Sequence, residues 1–322
     1  MVEFQRIEVN GVTLRVGVKG DGPLCVLVHG WPELWLSWRH QIDPLVEAGF
    51  KVAVPDVRGY GGSDAPQDVD AYDMASLTGD IAGIIEALGY ETAILIGHDW
   101  GAPIVWYTSL LYPDRVQAVA GMSVPYYGLG KVPPTQALRA AYPERFFYIL
   151  YFQQLHRPEA EFEADVRDSL LKIYFANSGD STAEVRQAMR VRTRTSGYLD
   201  GLIVPETLPA WLSDEDLDQY AAAYQASGFR GGINRYRNMD RDWHDLQNLA
   251  DRWIEQPALF LAGEHDSVLR YTPGLNLMDI IDPFYRDLRV KVSISGAGHW
   301  VQQERPDEVN RHLLAFLQPF TR

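Results

Sequence analysis

The chain has 322 residues, of which 46% are hydrophobic and 22% charged, and these proportions exclude a disordered or fibrous protein. Its 29 Lys and Arg residues against 43 Asp and Glu residues leave a net charge of −14, which repels phosphate backbones and anionic membrane surfaces. We therefore exclude nucleic acid as a partner and expect no membrane association. The single cysteine can form no internal disulfide, and no secretory segment or membrane-spanning run is visible, so we expect a cytoplasmic location.

Short apolar runs in the first 125 residues predict the buried strands of an α/β protein. Between the second and third runs, Leu77, Ile81, Ile84 and Leu88 recur at helical spacing, and Gly89 ends the predicted helix. The alternation of strands with helices favours a mostly parallel sheet flanked by helices. The predicted strands cover residues 24–28, 51–54, 93–96 and 116–124.

Residues 126–244 differ in composition and hydrophobic pattern from the segments on either side. They show helical stretches rich in Tyr, Arg and Glu, broken by prolines and a Gly-Gly pair, without strand alternation. The α/β pattern then resumes with strands at 257–262 and 290–294 and a last helix at 307–317. We expect one α/β core, formed by 1–125 and 245–322, interrupted by a helical cap, 126–244, with a ligand pocket between the two.

The strongest chemical signal is the segment Gly-His-Asp-Trp-Gly at 97–101. It lies between a predicted strand and a helix that Pro103 is suited to begin. Glycines two residues before and after the centre permit a sharp turn that exposes Asp99 at the top of the sheet. A carboxylate needs no deprotonation before it attacks, which suits displacement at a saturated carbon and an alkyl-ester intermediate. The alternative is an ordinary strand end bracketed by two glycines.

Two later residues are candidate partners of Asp99. Asp266 and His299 each follow a predicted strand, and the chain order nucleophile, acid, histidine is that of the α/β-hydrolase triad. His299 would then activate water, while Asp266 would fix its tautomer and stabilise the imidazolium. Each residue alone is more readily explained by a turn or a surface loop. Their combination with the glycine-bracketed Asp99 favours catalysis.

Trp31 and Trp100 are predicted to supply an oxyanion hole through their backbone N–H groups. Trp31 follows the first predicted strand in His-Gly-Trp-Pro at 29–32, and Trp100 follows the nucleophile. A hydrolase with this order of elements draws its oxyanion donors from these two places. His29 is interpreted as a buried structural histidine, and the glycine-rich turn at 56–63 as structural as well.

No metal or cofactor is expected from the sequence. The eight histidines form no His-Glu-x-x-His motif, and neither a glycine-rich phosphate loop nor a dinucleotide fingerprint is present. The 9 Trp, 17 Tyr and 12 Phe residues are then either core residues or the lining of a pocket for an apolar ligand.

Taken together, these segments resemble the α/β-hydrolase-fold epoxide hydrolases, the soluble type of bacteria and mammalian cytosol, over nearly the whole chain. The first two segments below and the Asp99 segment also occur, with variations, in haloalkane dehalogenases, so the helical insertion must distinguish the two reactions. The resemblance rests on 29–32, 37–41 (Ser-Trp-Arg-His-Gln), 58–61 (Arg-Gly-Tyr-Gly), 97–101 and 298–304 (Gly-His-Trp-Val-Gln-Gln-Glu).

The resemblance implies two cap tyrosines that hydrogen-bond the epoxide oxygen. Tyr148, in Phe-Phe-Tyr-Ile-Leu-Tyr-Phe-Gln at 146–153, matches the first, with Tyr151 as a nearby competitor. Tyr236 matches the second within a longer motif at 234–243. The two phenols would stabilise the alkoxide formed on ring opening. A dehalogenase instead uses N–H donors around the halide and commonly has Asn where this chain has Trp31.

The resemblance therefore implies an enzyme that converts a small apolar epoxide and water into a vicinal diol through an ester on Asp99. Two alternatives stay open: a haloalkane dehalogenase with the same nucleophile, and a hydrolase-fold receptor that binds an apolar ligand without turnover. The sequence leaves the natural substrate, the regiochemistry and the oligomeric state open, a homodimer among the options.

Overall fold

The computed structural model describes residues 1–321 and contains one eight-stranded sheet. The strands are β1 (Glu3–Val9), β2 (Val12–Lys19), β3 (Leu24–Val28), β4 (Lys51–Pro55), β5 (Ala93–His98), β6 (Val116–Met122), β7 (Ile254–Gly263) and β8 (Tyr285–Ile294). Their order across the sheet is β1-β2-β4-β3-β5-β6-β7-β8. The β1–β2 and β2–β4 pairs are antiparallel, and every other neighbouring pair is parallel. The predicted α/β class is confirmed.

Helices cover both faces of this sheet and fill the segment between β6 and β7. The helices before β6 are α1 (Arg39–Glu47), α2 (Met74–Ala87) and α3 (Gly101–Leu111). Those between β6 and β7 are α4 (Pro134–Ala141), α5 (Tyr148–Phe152), α6 (Arg157–Glu163), α7 (Val166–Asn177), α8 (Ala183–Val191), α9 (Asp214–Ser227), α10 (Arg230–Arg237) and α11 (Met239–Asp245). The chain ends with α12 (Val301–Glu304) and α13 (Pro306–Leu317). No helix within residues 1–321 combines the length and the apolar character needed to cross a membrane.

The predicted elements are confirmed with two corrections, at the end of β6, which stops at Met122 and not at 124, and at the start of α3. The helix begins at Gly101, two residues before Pro103, because Trp100 already has helical backbone angles of φ −61° and ψ −26°. Residues of β3 and β5 point alternately into two apolar layers, as the two-residue period of a strand requires. Val26, Val28 and Leu95 belong to the layer on one face, and Leu27 and Ile96 to the layer on the other.

The helices between β6 and β7 contact loops that follow the carboxyl ends of β3 and β4. The Tyr174 hydroxyl of α7 donates to the Pro32 carbonyl at 2.7 Å, and the Tyr224 hydroxyl of α9 donates to the Glu33 carbonyl at 3.2 Å. Helix α10 approaches the loop after β4 most closely, because Gly231 packs directly on Gly59. A Cβ atom at position 231 would lie 2.6 Å from the Gly59 α-carbon and carbonyl oxygen.

The substitution Gly231→Ala is expected to destabilise the protein, since backbone atoms of Gly59 would have to move. Overpacking of this kind costs about 1–3 kcal/mol, against a gain of up to about 1 kcal/mol in helix propensity. The midpoint of urea unfolding should therefore fall. Gly130→Ala is the matched control, because the nearest atom to its Cβ would be 3.6 Å away. Equal midpoints for the two variants would contradict the close packing of α10 on the core.

Candidate active site

Asp99 occupies a sharp turn between β5 and α3 and has a positive φ of 49°. Crowding around the turn explains its glycines: a Cβ at Gly97 would overlap the Gly101 carbonyl, and one at Gly101 would overlap the Val28 carbonyl. A positive φ at a residue other than glycine costs about 1–3 kcal/mol and persists only where surrounding packing enforces it. Here the enforced turn directs the carboxylate into a cavity, where only 6% of the residue is exposed.

The loop after β3 brings backbone N–H groups to this carboxylate. The Trp31 N–H donates to Asp99 Oδ1 at 2.7 Å. The approach depends on Gly30, because a Cβ there would overlap Asp99 Oδ1 and lie 2.7 Å from the Trp100 nitrogen. The two amides proposed from the sequence therefore flank the same small region next to Oδ1.

His299 lies between two carboxylates. Its Nδ1 is 3.1 Å from Asp266 Oδ1, and its Nε2 is 3.4 Å from Asp99 Oδ2. Burial by itself lowers the pKa of His299, but the charges and hydrogen bonds of Asp266 and Asp99 outweigh it and hold that pKa well above its usual range. Burial likewise acts to raise the pKa of Asp266, and the adjacent imidazolium more than reverses this, so the pKa lies below its usual range.

Ser123 is a member of this cluster that the sequence did not reveal. It lies one residue after β6, is fully buried and has a φ of 70°. Its hydroxyl oxygen is 2.9 Å from His299 Nδ1, the ring nitrogen that also faces Asp266. Like Asp99 and Asp266 it follows the carboxyl end of a strand, which was the available signal. The predicted strand extended to 124 and concealed it.

A second buried network ties together the loops that carry these residues. Glu33 Oε2 accepts hydrogen bonds from the Gly30 N–H at 3.1 Å and from His98 Nδ1 at 2.6 Å. His98 Nε2 in turn donates to the His299 carbonyl at 2.7 Å. Burial acts to raise the pKa of Glu33, yet His98 and the other donors lower it to about 2. Glu33 thus joins the Trp31 loop, the Asp99 turn and the His299 loop, although no sequence pattern singled it out.

Tyr148 at the start of α5 and Tyr236 in α10 line the cavity opposite Asp99, with ring centroids 5.8 Å apart. Neither phenol oxygen forms a hydrogen bond with any residue of 1–321. Burial, followed by the charge of Asp99, raises the pKa of both phenols well above the usual range, so both stay protonated. Tyr151 differs, because its hydroxyl donates to Glu161 Oε2 at 2.6 Å and the residue does not line the cavity.

The cavity has a volume of about 290 Å³ and is bounded near Asp99 largely by apolar side chains, including Trp31, Ile173 and Trp300. Trp100 does not line it; its ring centroid lies 5.1 Å from that of Tyr236. The interpretation of His29 as structural is confirmed. It is buried, its Nδ1 donates to the Gly30 carbonyl at 2.9 Å, and its Nε2 accepts from the Val57 N–H at 3.0 Å.

Comparison with known proteins places this geometry in a family. Residues 23–306 match the model of the alpha/beta hydrolase fold. The chain is 45% identical to epoxide hydrolase A of Mycobacterium tuberculosis, over 97% of this chain and 96% of that relative. It is 37% identical to epoxide hydrolase B of the same organism, over 92% of each. Among solved structures, epoxide hydrolase A of Mycobacterium thermoresistibile superposes with a TM-score of 0.91 at 46% identity, covering 99% of this chain and 98% of that one. An epoxide hydrolase of an endophytic Streptomyces gives 0.93 at 40% identity, covering 98% and 95%.

Proposed function

The chain belongs to the epoxide hydrolases of the α/β-hydrolase fold and acts on an epoxide and water, and from this premise we propose which residues carry the reaction. The observation that carries the proposal is the position of the Asp99 carboxylate. One of its oxygens accepts the Trp31 N–H, the other faces His299 Nε2, and two phenols without protein partners lie across the cavity.

In the first step, Asp99 Oδ2 attacks an epoxide carbon and the C–O bond of the ring breaks. The departing oxygen is a poor leaving group unless its charge is stabilised, and a phenol of Tyr148 or Tyr236 gives it a proton. The product is a hydroxyalkyl ester of Asp99 with one tyrosine as phenolate. The raised pKa values of these phenols keep both of them protonated before ring opening, so each has a proton to donate. A halide would leave without a proton, so the two phenols favour an epoxide over a haloalkane.

In the second step, His299 Nε2 takes a proton from water and the resulting hydroxide attacks Cγ of the ester. Negative charge then develops on Oδ1, where the N–H groups of Trp31 and Trp100 would stabilise it. Collapse of this intermediate breaks the bond between Cγ and Oδ2. The diol oxygen receives the proton held by His299, and the proton left on the Asp99 carboxyl group returns to the tyrosine.

Formation of the ester also prepares His299 for its role as a base. In the free enzyme the charges of both Asp266 and Asp99 raise the pKa of His299. Esterification removes the charge of Asp99, while burial continues to lower the pKa. The imidazolium therefore releases its proton to solvent more readily at the stage where a neutral imidazole is needed, and His299 takes a proton back from solvent once the Asp99 carboxylate is restored.

We also propose that residues 126–244 act as a cap over the nucleophile. Both tyrosines come from this segment, on α5 and α10, whereas Asp99, Asp266 and His299 all follow strands of the sheet. Closure of the cap on the core keeps bulk water away from Asp99, whose exposure of 6% supports this role.

The variant His299→Gln is expected to stop the reaction at the ester, because no base remains to activate water. Intact-protein and peptide mass spectrometry should find the mass of one epoxide added to the peptide that contains Asp99. In the wild-type enzyme, single-turnover hydrolysis of the ester should accelerate as pH rises and reach a plateau once His299 is neutral. His244→Gln, whose side chain is 82% exposed, is the matched control. Full turnover by His299→Gln without an adduct would contradict its role as base.

Removal of either proposed phenol should slow ring opening selectively. Tyr148→Phe and Tyr236→Phe are each expected to reduce the single-turnover rate of ester formation about 100-fold, the scale of one acid or one oxyanion donor. Tyr151→Phe is the matched control and should change this rate far less, because its hydroxyl is bonded to Glu161. A larger loss in Tyr151→Phe than in Tyr148→Phe would reverse the assignment.

A further inference from the structure

Ring opening as proposed requires two phenols at one oxygen atom, although Tyr148 and Tyr236 lie on different helices of the cap. Tyr148 is the first residue of α5, Tyr236 lies near the end of α10, and their ring centroids are 5.8 Å apart. The separation of the phenols therefore depends on how α5 is fixed to α10. The side chain that bridges the two helices is Arg237, the last residue of α10 and the neighbour of Tyr236 in the chain.

Arg237 uses all five N–H groups of its guanidinium in hydrogen bonds within the cap. Nε donates to the Phe152 carbonyl at 3.0 Å and Nη2 to the Gln154 carbonyl at 2.6 Å, at and just after the end of α5. Nη1 donates to Glu159 Oε1 at 2.6 Å and Nη2 to Glu159 Oε2 at 3.1 Å, on α6. Nη1 also donates to Asn234 Oδ1 at 2.8 Å, one turn earlier in α10. The planar fork of a guanidinium suits this two-oxygen contact with a carboxylate, which the single ammonium of a lysine does not reproduce.

The ion pair between Arg237 and Glu159 is buried. Only 5% of the Arg237 side chain and 9% of the Glu159 side chain are exposed, whereas 41% of the Arg241 side chain is exposed. Desolvation offsets much of the attraction between two buried charges, so such a pair adds little net stability compared with apolar packing of the same volume. A pair whose hydrogen bonds are all made does restrict the helices that it joins to one arrangement.

The ring of Phe152 carries this constraint to both phenols. Its backbone carbonyl accepts the Arg237 hydrogen bond, and its side chain is fully buried. The Phe152 ring centroid lies 5.7 Å from that of Tyr148 and 4.9 Å from that of Tyr236, edge to face in each case. A shift of Phe152 would therefore move both phenol rings. Arg237 itself is not among the residues that line the cavity, so it acts on the reaction only through these neighbours.

The Gln153 side chain forms a second link between α5 and α10. Its Nε2 donates to the Ile149 carbonyl and to the Tyr236 carbonyl, at 3.0 Å in each case. The carbonyl of Tyr236 and the side chain of the next residue, Arg237, are thus both fixed to α5.

We propose that Arg237 is a positioning residue for ring opening, because it fixes α5 to α10 so that the two phenols meet the same epoxide oxygen. A substrate can shift to follow one displaced phenol, but it cannot meet two phenols whose separation has changed. This inference rests on the proposed function, because Arg237 acts only through the two tyrosines assigned there. Ester hydrolysis uses His299 and Asp266, on loops that follow strands of the sheet, and does not depend on this separation.

The variant Arg237→Lys keeps the charge but loses the planar fork. In a single turnover of styrene oxide, the rate of ester formation should fall at least about tenfold, since displacement of a positioned group by about 1 Å can cost about 100-fold. The rate of ester hydrolysis should change less than about twofold, because an interaction used only in ring opening leaves the barrier of the second step unchanged. Quenched-flow sampling with mass spectrometry of the peptide that contains Asp99 measures both rates. A merely structural defect would lower the fraction of active enzyme and leave both rates unchanged.

Arg58→Lys is the matched control. Arg58 is equally buried, with 5% of its side chain exposed, and it pairs with Asp80 through Nε at 2.8 Å and Nη2 at 2.5 Å. Its Nη1 also donates to the Ala71 carbonyl at 3.0 Å, so this fork joins segments of the core rather than α5 and α10. Arg58→Lys should lower the midpoint of urea unfolding as Arg237→Lys does, but it should leave the ratio of the two rates unchanged.

Two further variants test the link between the helices. Gln153→Met removes the donor to the Tyr236 carbonyl with little change in shape and should also slow ester formation selectively, which keeps the fixed separation testable if Arg237→Lys does not fold. Arg237→Lys combined with Tyr236→Phe should form the ester less than about threefold more slowly than Tyr236→Phe alone, because groups that act as a unit have non-additive effects.

The possible results separate this inference from the function on which it rests. Wild-type ester formation in Arg237→Lys, an equal slowing of both steps, or an undiminished loss in the Tyr236→Phe background would each overturn the positioning role of Arg237 and leave epoxide hydrolysis intact. Ester formation at the wild-type rate in both Tyr148→Phe and Tyr236→Phe would instead contradict the proposed role of the phenols.

Discussion

The site depends on one crowded turn, in which Asp99 is held at a positive φ between two glycines that have no room for a side chain. The strand before the turn, the helix after it and the loop after β3 are packed so closely that only this backbone path fits. Packing of the sheet compensates for the unfavourable free energy of this strained backbone. Because of this backbone conformation, one Asp99 carboxylate oxygen accepts the Trp31 N–H and the other faces His299 before any substrate has bound.

The remaining groups are arranged around this carboxylate by charge. Two anions flank His299 and hold its pKa well above the usual range, and in the proposed mechanism loss of the Asp99 charge on esterification would convert the imidazole towards a base. The same negative charge raises the pKa of the phenols above it and keeps them as proton donors. One carboxylate thus raises the pKa of both the proposed acids and the proposed base, and its esterification would change the His299 pKa in the direction that the proposed second step requires.

The sequence predicted the sheet and the triad positions for a physical reason. Residues that follow the carboxyl ends of parallel strands meet at one edge of the sheet, so Asp99, Asp266 and His299 could be brought together without coordinates. The N-terminal hairpin β1–β2 was not predicted, because β1 is largely exposed and lacks the apolar run that marked the buried strands. Its signal was the Asn10-Gly11 pair, which adopts the positive φ values of a tight hairpin turn.

Contacts between segments that are distant in the chain could not be predicted from the sequence. Tyr148 and Tyr151 lie on the same short helix, and only the partner of Tyr151, Glu161 on α6, shows which phenol is left facing the cavity. Ser123 was missed because the predicted strand extended two residues too far and included it. Glu33 was missed because its hydrogen-bond partners, His98 and the side-chain amides of residues 302 and 303, are remote from it in the chain.

The most direct test of the account follows the oxygen atom that leaves with the diol. Excess enzyme is mixed with an epoxide in heavy-oxygen water for a single turnover, and the diol and the peptide that contains Asp99 are analysed by mass spectrometry. If Asp99 is the nucleophile, the diol takes Oδ2 from the enzyme and carries no label, while one labelled oxygen appears in the Asp99 carboxylate. A labelled diol with an unlabelled Asp99 would show that water attacks the epoxide directly, and would contradict the covalent mechanism.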